Sequence, residues 1–419
     1  MKSRKVDSME GARAPASARD GVWLNSIVGG VLLFLSVALI PLESEGSTSR
    51  RYQLSGVHTA RSERLLIQGM EAINNSRIDA AIDNFRLLTE LNPDFRLAQL
   101  ILGDLLSAQA GSLSGFGGNH AVDHRKLVRE LRAEAQARIR HYKNHPPIGH
   151  VPLPLLHLSD RQDHAIVVDL SKSRLYLFRN WRGIPKLIAD YYISIGKRGT
   201  KKLKRGDKKT PIGLYYIVDT VSSEQLPPLY GAGALPLDYP NAWDKFRKRT
   251  GYGIWLHGTD PETYSRPPRD SNGCVALTNP DFRSIELLAG LGTPVLMQEN
   301  IPWVSFNRWR QEREQFLKQM NRWRRDWSSG DISRLITHYS GQFDTGKHDI
   351  HGWRKVLERS LRNERSRGKR VQISDLNIFH YPDDLGPMLM VRFRRNATRH
   401  IQFWRYQQNR WAIIYEEMK

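Results

Sequence analysis

Cysteine is all but absent from this chain: 419 residues hold one, Cys274. That excludes a disulfide within the chain and any cysteine-built zinc cage. His348 and His351 stand three apart with no third ligand in view, a polar loop more than a metal site, and no other histidine spacing matches zinc. Phosphate-binding and dinucleotide fingerprints are missing too. The glycine-rich GSLSGFGGNH at 111–120 lacks the Lys-Ser/Thr ending and a following apolar helix start, so it reads as a linker. Nothing here calls for a cofactor or a metal. Acidic residues are also short, 43 against 64 Lys and Arg, and the net charge is +21. Such a surface attracts any polyanion, whether nucleic acid, anionic lipid or acidic wall polymer, and charge alone does not choose among them.

Long apolar runs are equally scarce, and the one present narrows the choice. Residues 23–42, WLNSIVGGVLLFLSVALIPL, carry no charge. About twenty residues at roughly 1.5 Å each span a bilayer of about 30 Å. Lys2, Arg4, Lys5, Arg13 and Arg19 precede the run, which favours a cytoplasmic tail over 1–22 and a single-pass anchor over 23–42. A cleaved signal peptide is the rival reading. Residues 43–61 are polar and read as a tether. Either way the rest of the chain is expected outside the cytoplasm, at the inner membrane and facing the periplasm or cell wall, where nucleic acid is a poor partner. Exported cysteines are usually paired, so a solitary one becomes a candidate reactive thiol.

Past the tether the periodicity changes twice. From 62 to 145 it is helical, with Ile78, Ala81, Ile82, Phe85 and Leu88 at helical spacing and a break at Asn92-Pro93-Asp94. This predicts a tetratricopeptide-like helix pair, either a partner-binding surface or a small subdomain packed on its neighbour. HPPIGHVPLPLLHL (145–158) reads as a proline-broken connector. From 163 to 299 strands dominate: AIVVDLSKSRLYLFRN breaks at Ser-Lys-Ser like a hairpin, and GLYYIV, GIWLHG and PVLMQ follow. From 305 to 419 a long helix with periodic tryptophans and two shorter helices precede four strands, an α+β arrangement.

A thiol attacks only as thiolate, so it needs a base or a positive neighbourhood. His257 ends the strand GIWLHG, and the loop TDPETYSRPPRDSN joins it to Cys274. Gly273 permits a tight turn in which backbone N–H groups of Gly273 and Cys274 can form an oxyanion hole. Arg266 and Arg269 in that loop are placed either to meet an anionic substrate or as a solvated tip. Tyr230 and Trp243 either line a groove or pack a core. The basic run 197–209, KRGTKKLKRGDKK, is a solvated hairpin tip or a contact with anionic wall or lipid.

These residues resemble the L,D-transpeptidase (YkuD-like) catalytic domain, which carries His-Gly-Thr/Ser at a strand end and then Ser/Thr-His-Gly-Cys-hydrophobic-Arg. Here stand His257-Gly258-Thr259 and Ser271-Asn272-Gly273-Cys274-Val275-Ala276, with Gly206-Asp207-Lys208-Lys209-Thr210-Pro211-Ile212-Gly213-Leu214-Tyr215 for the upstream Gly-x-Thr-Pro-x-Gly-x-Tyr/Phe. Asn272 and Ala276 depart from the family's His and Arg. The C-terminal block resembles an NTF2-like cone, with Trp323, Trp353, Phe393, Trp404 and Trp411 as its core or pocket. The resemblance implies a multidomain α+β protein: membrane anchor, helical region, mostly-β catalytic domain, NTF2-like domain.

It also implies a chemistry on peptidoglycan stem peptides. Cys274 is the nucleophile and His257 the proton donor and acceptor. Gly273 supplies the oxyanion turn, and Ser271 and Asn272 orient it. Gly258, Thr259, Arg266, Arg269, Tyr230 and Trp243 are the candidate substrate contacts. A tetrapeptide stem acylates Cys274 with loss of D-alanine, and a second stem amine resolves the thioester. The alternatives are hydrolysis by an L,D-carboxypeptidase, or a non-catalytic wall-binding scaffold. The helical and NTF2-like parts are candidate sites for a protein partner.

Overall fold

The computed structural model describes residues 61–111, 125–366, 372–396 and 398–419. The expected tail, the anchor at 23–42, nearly all of the tether and most of the glycine-rich linker fall outside them. Among the described residues no helix is long and apolar enough to cross a membrane.

The first region holds four helices: α1 (Arg61–Asn74), α2 (Ile78–Leu91), α3 (Arg96–Gln109) and α4 (Arg125–Lys143). The helical spacing in α2 puts Ala81, Ile82, Phe85 and Leu88 on one buried face. Phe85 lies so close to α1 that a Cβ at Gly69 would stand 2.6 Å from its ring. Helices α3 and α4 complete one core with Phe95, Leu97, Ile101, Val128 and Leu131.

The connector is not irregular. Residues His150–Pro152 form strand β1 and Leu155–His157 form β2. The β-rich block then runs β3 (His164–Asp169), β4 (Arg174–Trp181), β5 (Ile184–Tyr192), β6 (Ile195–Gly196), β7 (Gly213–Tyr216), β8 (Val221–Ser222), β9 (Gly233–Pro236), α5 (Ala242–Phe246), β10 (Trp255–His257), β11 (Arg269–Ser271), β12 (Val275–Ala276), α6 (Asn279–Glu286) and β13 (Pro294–Gln298). Its main sheet has the order β5-β4-β3-β13-β7. The Ser-Lys-Ser break is the β3–β4 turn, with Ser173 at φ 53°. Every residue of β13 and all but the first of β3 are buried, so the sheet is covered on both faces and these strands read as continuous apolar runs. One face packs on the smaller sheet β12-β10-β9-β8 and helix α6 through Ile166, Val168, Leu235, Leu256, Val275 and Phe282.

The other face packs on the C-terminal domain: β14 (Trp303–Ser305), α7 (Phe306–Ser329), α8 (Ile332–Leu335), α9 (Ile350–Ser366), then β15 (Ile373–His380), β16 (Met388–Arg395), β17 (Thr398–Gln407) and β18 (Arg410–Met418). Its sheet, β18-β17-β16-β15-β2, takes its last strand from the connector, and β1 pairs with β14. Leu155 and Leu156 are the apolar residues that draw the connector in, and the Trp309 indole donates to the Leu155 carbonyl at 2.9 Å. Of the five candidate pocket aromatics, Trp323, Trp353, Phe393 and Trp404 are buried core and Trp411 packs half-buried against it.

Trp243 belongs to the interface between these domains and not to a substrate groove. It is 2% exposed, stacks on Phe403 at 5.0 Å, and donates to Asp383 at 2.8 Å. Helix α5, held by a capping box of Asn241 and Asp244, turns the indole toward the C-terminal sheet, where burial of a large ring is most favourable.

Candidate active site

The small sheet brings the histidine and the cysteine together. Strand β10 pairs in parallel with β12, Leu256 opposite Val275 and His257 opposite Ala276. His257 ends β10, and Cys274 sits in the turn between β11 and β12. Both line one cleft of about 370 Å³.

Two close approaches fix these positions. Asn279, the first residue of α6, accepts from the Ala232 amide at 2.9 Å and the Thr259 amide at 3.0 Å. A Cβ at Gly258 would stand 2.3 Å from that oxygen and 2.8 Å from the Ala232 nitrogen, so the glycine after the histidine is a packing requirement. Gly273, at φ +129°, lies against the Lys209 carbonyl, which a Cβ would meet at 2.8 Å. The upstream Thr-Pro segment therefore forms the bed of the cysteine turn. Thr210 Oγ1 accepts from the Gly196 amide at 2.9 Å, and Asp207 gathers Lys202 Nζ at 2.7 Å and the amides of Leu203, Lys204 and Lys209. The basic run is thus a folded loop around a carboxylate, with Lys202 buried, and not a free hairpin tip.

At rest the pair is neutral. Burial pushes the His257 imidazole down to about 4, and Arg266 acts in the same direction. Its Nδ1 lies 2.6 Å from the Gly258 carbonyl. A carbonyl only accepts, so Nδ1 carries the proton and Nε2 keeps its lone pair. Burial pushes the Cys274 thiol up, against the opposing pull of the Trp255 amide, Arg266 and Lys202. The thiol lies 3.2 Å from the Gly253 carbonyl. Tyr230 stands edge-on to His257 at 5.0 Å.

Other expected residues divide. Ser271 closes the cysteine turn: its hydroxyl donates to the Cys274 carbonyl at 2.6 Å and accepts from the Gly273 amide at 3.1 Å. The Gly273 N–H is therefore occupied within the turn and is not an oxyanion donor as arranged. Asn272 lines the cleft but is exposed, with no hydrogen bond to Cys274 or His257 among the described residues. Arg266 faces the cleft, held by Thr259 Oγ1 at 2.8 Å and the Leu229 carbonyl at 2.6 Å. Thr259 is fully buried and Gly258 is a spacer, while Arg269 is exposed on β11 and outside the cleft lining.

The opposite wall was not foreseen. Arg96, Leu97, Leu127, Glu130, Leu131 and Glu134, all from α3 and α4, line the same cleft. Tyr264, in the loop between His257 and Cys274, packs on Phe95 with ring centroids 4.5 Å apart, and Ser265 donates to Glu134 at 2.6 Å. Glu63 of α1 bridges Arg138 and Arg174, and Asp190 of β5 holds Arg174 at 2.5 Å and His141 at 3.1 Å. Asp190 also meets His145 at 3.2 Å. The Arg174 guanidinium on the same carboxylate makes this trio part of an ion network. The local signals in the sequence are Thr278-Asn279-Pro280-Asp281, which announces the start of α6, and the dense charge of α4.

Residues 163–297 match the profile of the L,D-transpeptidase catalytic domain (YkuD), and residues 315–417 match the Cds6 C-terminal NTF2-like domain. The chain carries an L,D-transpeptidase catalytic domain. Bd1075 of Bdellovibrio bacteriovorus superposes on this chain with a TM-score of 0.53 at 26% identity, covering 64% of this chain and 98% of that one. Over 64% of its length the chain also shares its fold with Pgp2 of Campylobacter jejuni, a helical cell shape determining protein, with a TM-score of 0.52 at 21% identity and 95% of that chain covered. No curated protein matches the chain.

Proposed function

We propose that this protein is a peptidoglycan L,D-transpeptidase using Cys274 as nucleophile and His257 as base, at the periplasmic or wall side of the membrane. The observation that carries the reading is the juxtaposition of β10 and β12, which puts both residues on one cleft. The Cys274 thiol turns from the Gly253 carbonyl toward the substrate and gives its proton to His257 Nε2 as the C–S bond forms. The Cys274 amide stabilises the oxyanion. The proton passes to the departing D-alanine amine as the C–N bond breaks, leaving a thioester. An acceptor amine, or water, then attacks the thioester, gives its proton to His257, and the thiolate is released and reprotonated.

Hydrolysis is the second reading, and the helical wall favours it. A cleft of about 370 Å³ is near the small end of ligand sites and leaves little room for a second stem beside the first. Incubation with purified tetrapeptide muropeptides and mass analysis separates the readings: 3–3 linked dimers mean transpeptidation, tripeptide monomers mean trimming. Cys274→Ser should abolish either product and leave the melting temperature close to wild type; retained activity would remove Cys274 from the role. No product from wild type, with binding to sacculi preserved, would favour a scaffold. If the likeness to Pgp2 extends to role, a strain lacking the protein should change shape.

A further inference from the structure

The helical wall of the cleft carries a charge with no partner. Arg96, at the start of α3, is exposed into the cleft, and among the described residues its guanidinium meets no carboxylate and no hydrogen-bond acceptor. The other charges there are mostly committed. Glu134 is held by Arg138 at 2.9 Å and by Ser265. Asp270 faces Lys197 at 3.5 Å, and Glu130 faces Lys126 at 3.8 Å. Asp260 keeps only the Glu262 amide. Arg266, on the catalytic wall, is bound by neutral oxygens alone, Thr259 Oγ1 and the Leu229 carbonyl, so its charge is oriented but not compensated. Two cations, one from each wall, therefore outweigh the single carboxylate without a cationic partner. Two partly exposed leucines, Leu127 and Leu229, line the same cleft.

We propose that the helical region is part of the substrate site, and that Arg96 is a specificity-determining residue that binds a carboxylate of an anionic peptide, opposite Arg266. The proposal rests on the peptidyl acyl-transfer reading above for its ligand class. A peptide with two carboxylates flanking short aliphatic side chains matches two cations and two leucines. Preorganisation supports it: Phe95 against Tyr264 and Glu134 on Ser265 tie the wall bearing Arg96 to the loop bearing Arg266, so the two cations are held before the ligand arrives.

The test measures binding without turnover. Full-length Cys274→Ala protein is titrated calorimetrically with a stem tetrapeptide bearing free carboxylates, and with the same peptide fully amidated. Adding Arg96→Ala should weaken binding of the free acid about tenfold or more, as expected for a charge-assisted hydrogen bond. Arg96→Lys should recover part of the loss, and the amidated peptide should bind both proteins alike. Equal affinity with and without Arg96, the same loss on the amidated peptide, or no binding by Cys274→Ala would overturn the proposal. Arg96-dependent binding alongside a wild-type protein that makes no product would sink the acyl-transfer reading and leave this one standing. Among the described residues the Arg96 side chain makes no hydrogen bond or ion pair, so unchanged melting temperatures should accompany its variants.

Discussion

A thiol pushed up and an imidazole pushed down do not make a resting ion pair. In the proposed mechanism Cys274 passes its proton to His257 during attack, and the pH dependence should show it. His257 stays unprotonated down to about 4, so the acid limb of kcat/KM should fall near pH 4–5 and not near 6.5. A pH–rate profile with its acid limb at 6–7 would mean that the base titrates in contact with bulk water. His257→Gln should cost about 10²- to 10⁴-fold in kcat, the usual reach of a positioned base. At this scale the sequence was informative where chemistry and chain order coincide. Cys274 is solitary, and His257 ends a buried strand. It was uninformative for Trp243, because an indole before a strand looks the same whether it faces a ligand or a neighbouring sheet.

The elements around the site work as a clamp closed by the first residue of α6. Asn279 holds two amides at once, so Asn279→Ala leaves both donors without a partner, at about 1–3 kcal/mol each. The melting temperature should fall, and kcat should fall further than stability explains, since His257 is two residues from one donor. Gly258→Ala should act more strongly, because its Cβ would enter the space of the Asn279 oxygen and the Ala232 nitrogen. Wild-type thermal stability and turnover in Gly258→Ala would show that the strand end gives way freely. Strands and helices were legible from period and punctuation, down to the turn at Ser173. The connector was not, because prolines hide strand character and its partners, β14 and β15, lie in the last third of the chain.

For the whole molecule, the largest unforeseen feature is the ion network under the helical region. Arg138 and Arg174 are almost fully buried, and Glu63 joins them. Burial pushes the Glu63 carboxyl up, but the two arginines outweigh it and hold it low. Glu63→Gln leaves both cations short of charge and should cost about 3–5 kcal/mol, read as a shift in the urea midpoint; a shift under about 1 kcal/mol would mean that water enters the network. Acid should loosen the fold as well. Burial lowers His141, His157 and His257 from 6.5 to about 4, so the unfolded chain binds more protons between those values and stability falls as pH drops through that window. Asp281, raised by burial to about 6, holds a proton in the folded state below that pH and offsets part of this loss, and Glu134, Asp238 and Asp244, also raised by burial, act in the same direction. A melting temperature that stays level from pH 6.5 to 4.5 would contradict this balance. None of this network was readable in advance, since charges on a helix look solvated until a partner from elsewhere in the chain covers them.

The borrowed strand β2 has a consequence for how the molecule is made. Ser159, just past it, donates its amide to Asn377, 218 residues away, and the β2–β15 ladder pairs His157 with Ile378 and Leu155 with Phe379, slightly further apart in the chain. A chain that emerges from its N-terminus must therefore present Leu155 and Leu156 to water, or to a chaperone, throughout synthesis of the catalytic block. Closing so long a loop is slow. Premature termination anywhere before β15 strands an apolar edge in the open, so a nascent fragment of this protein is an aggregation hazard, and the last hundred residues act as the cap that ends it.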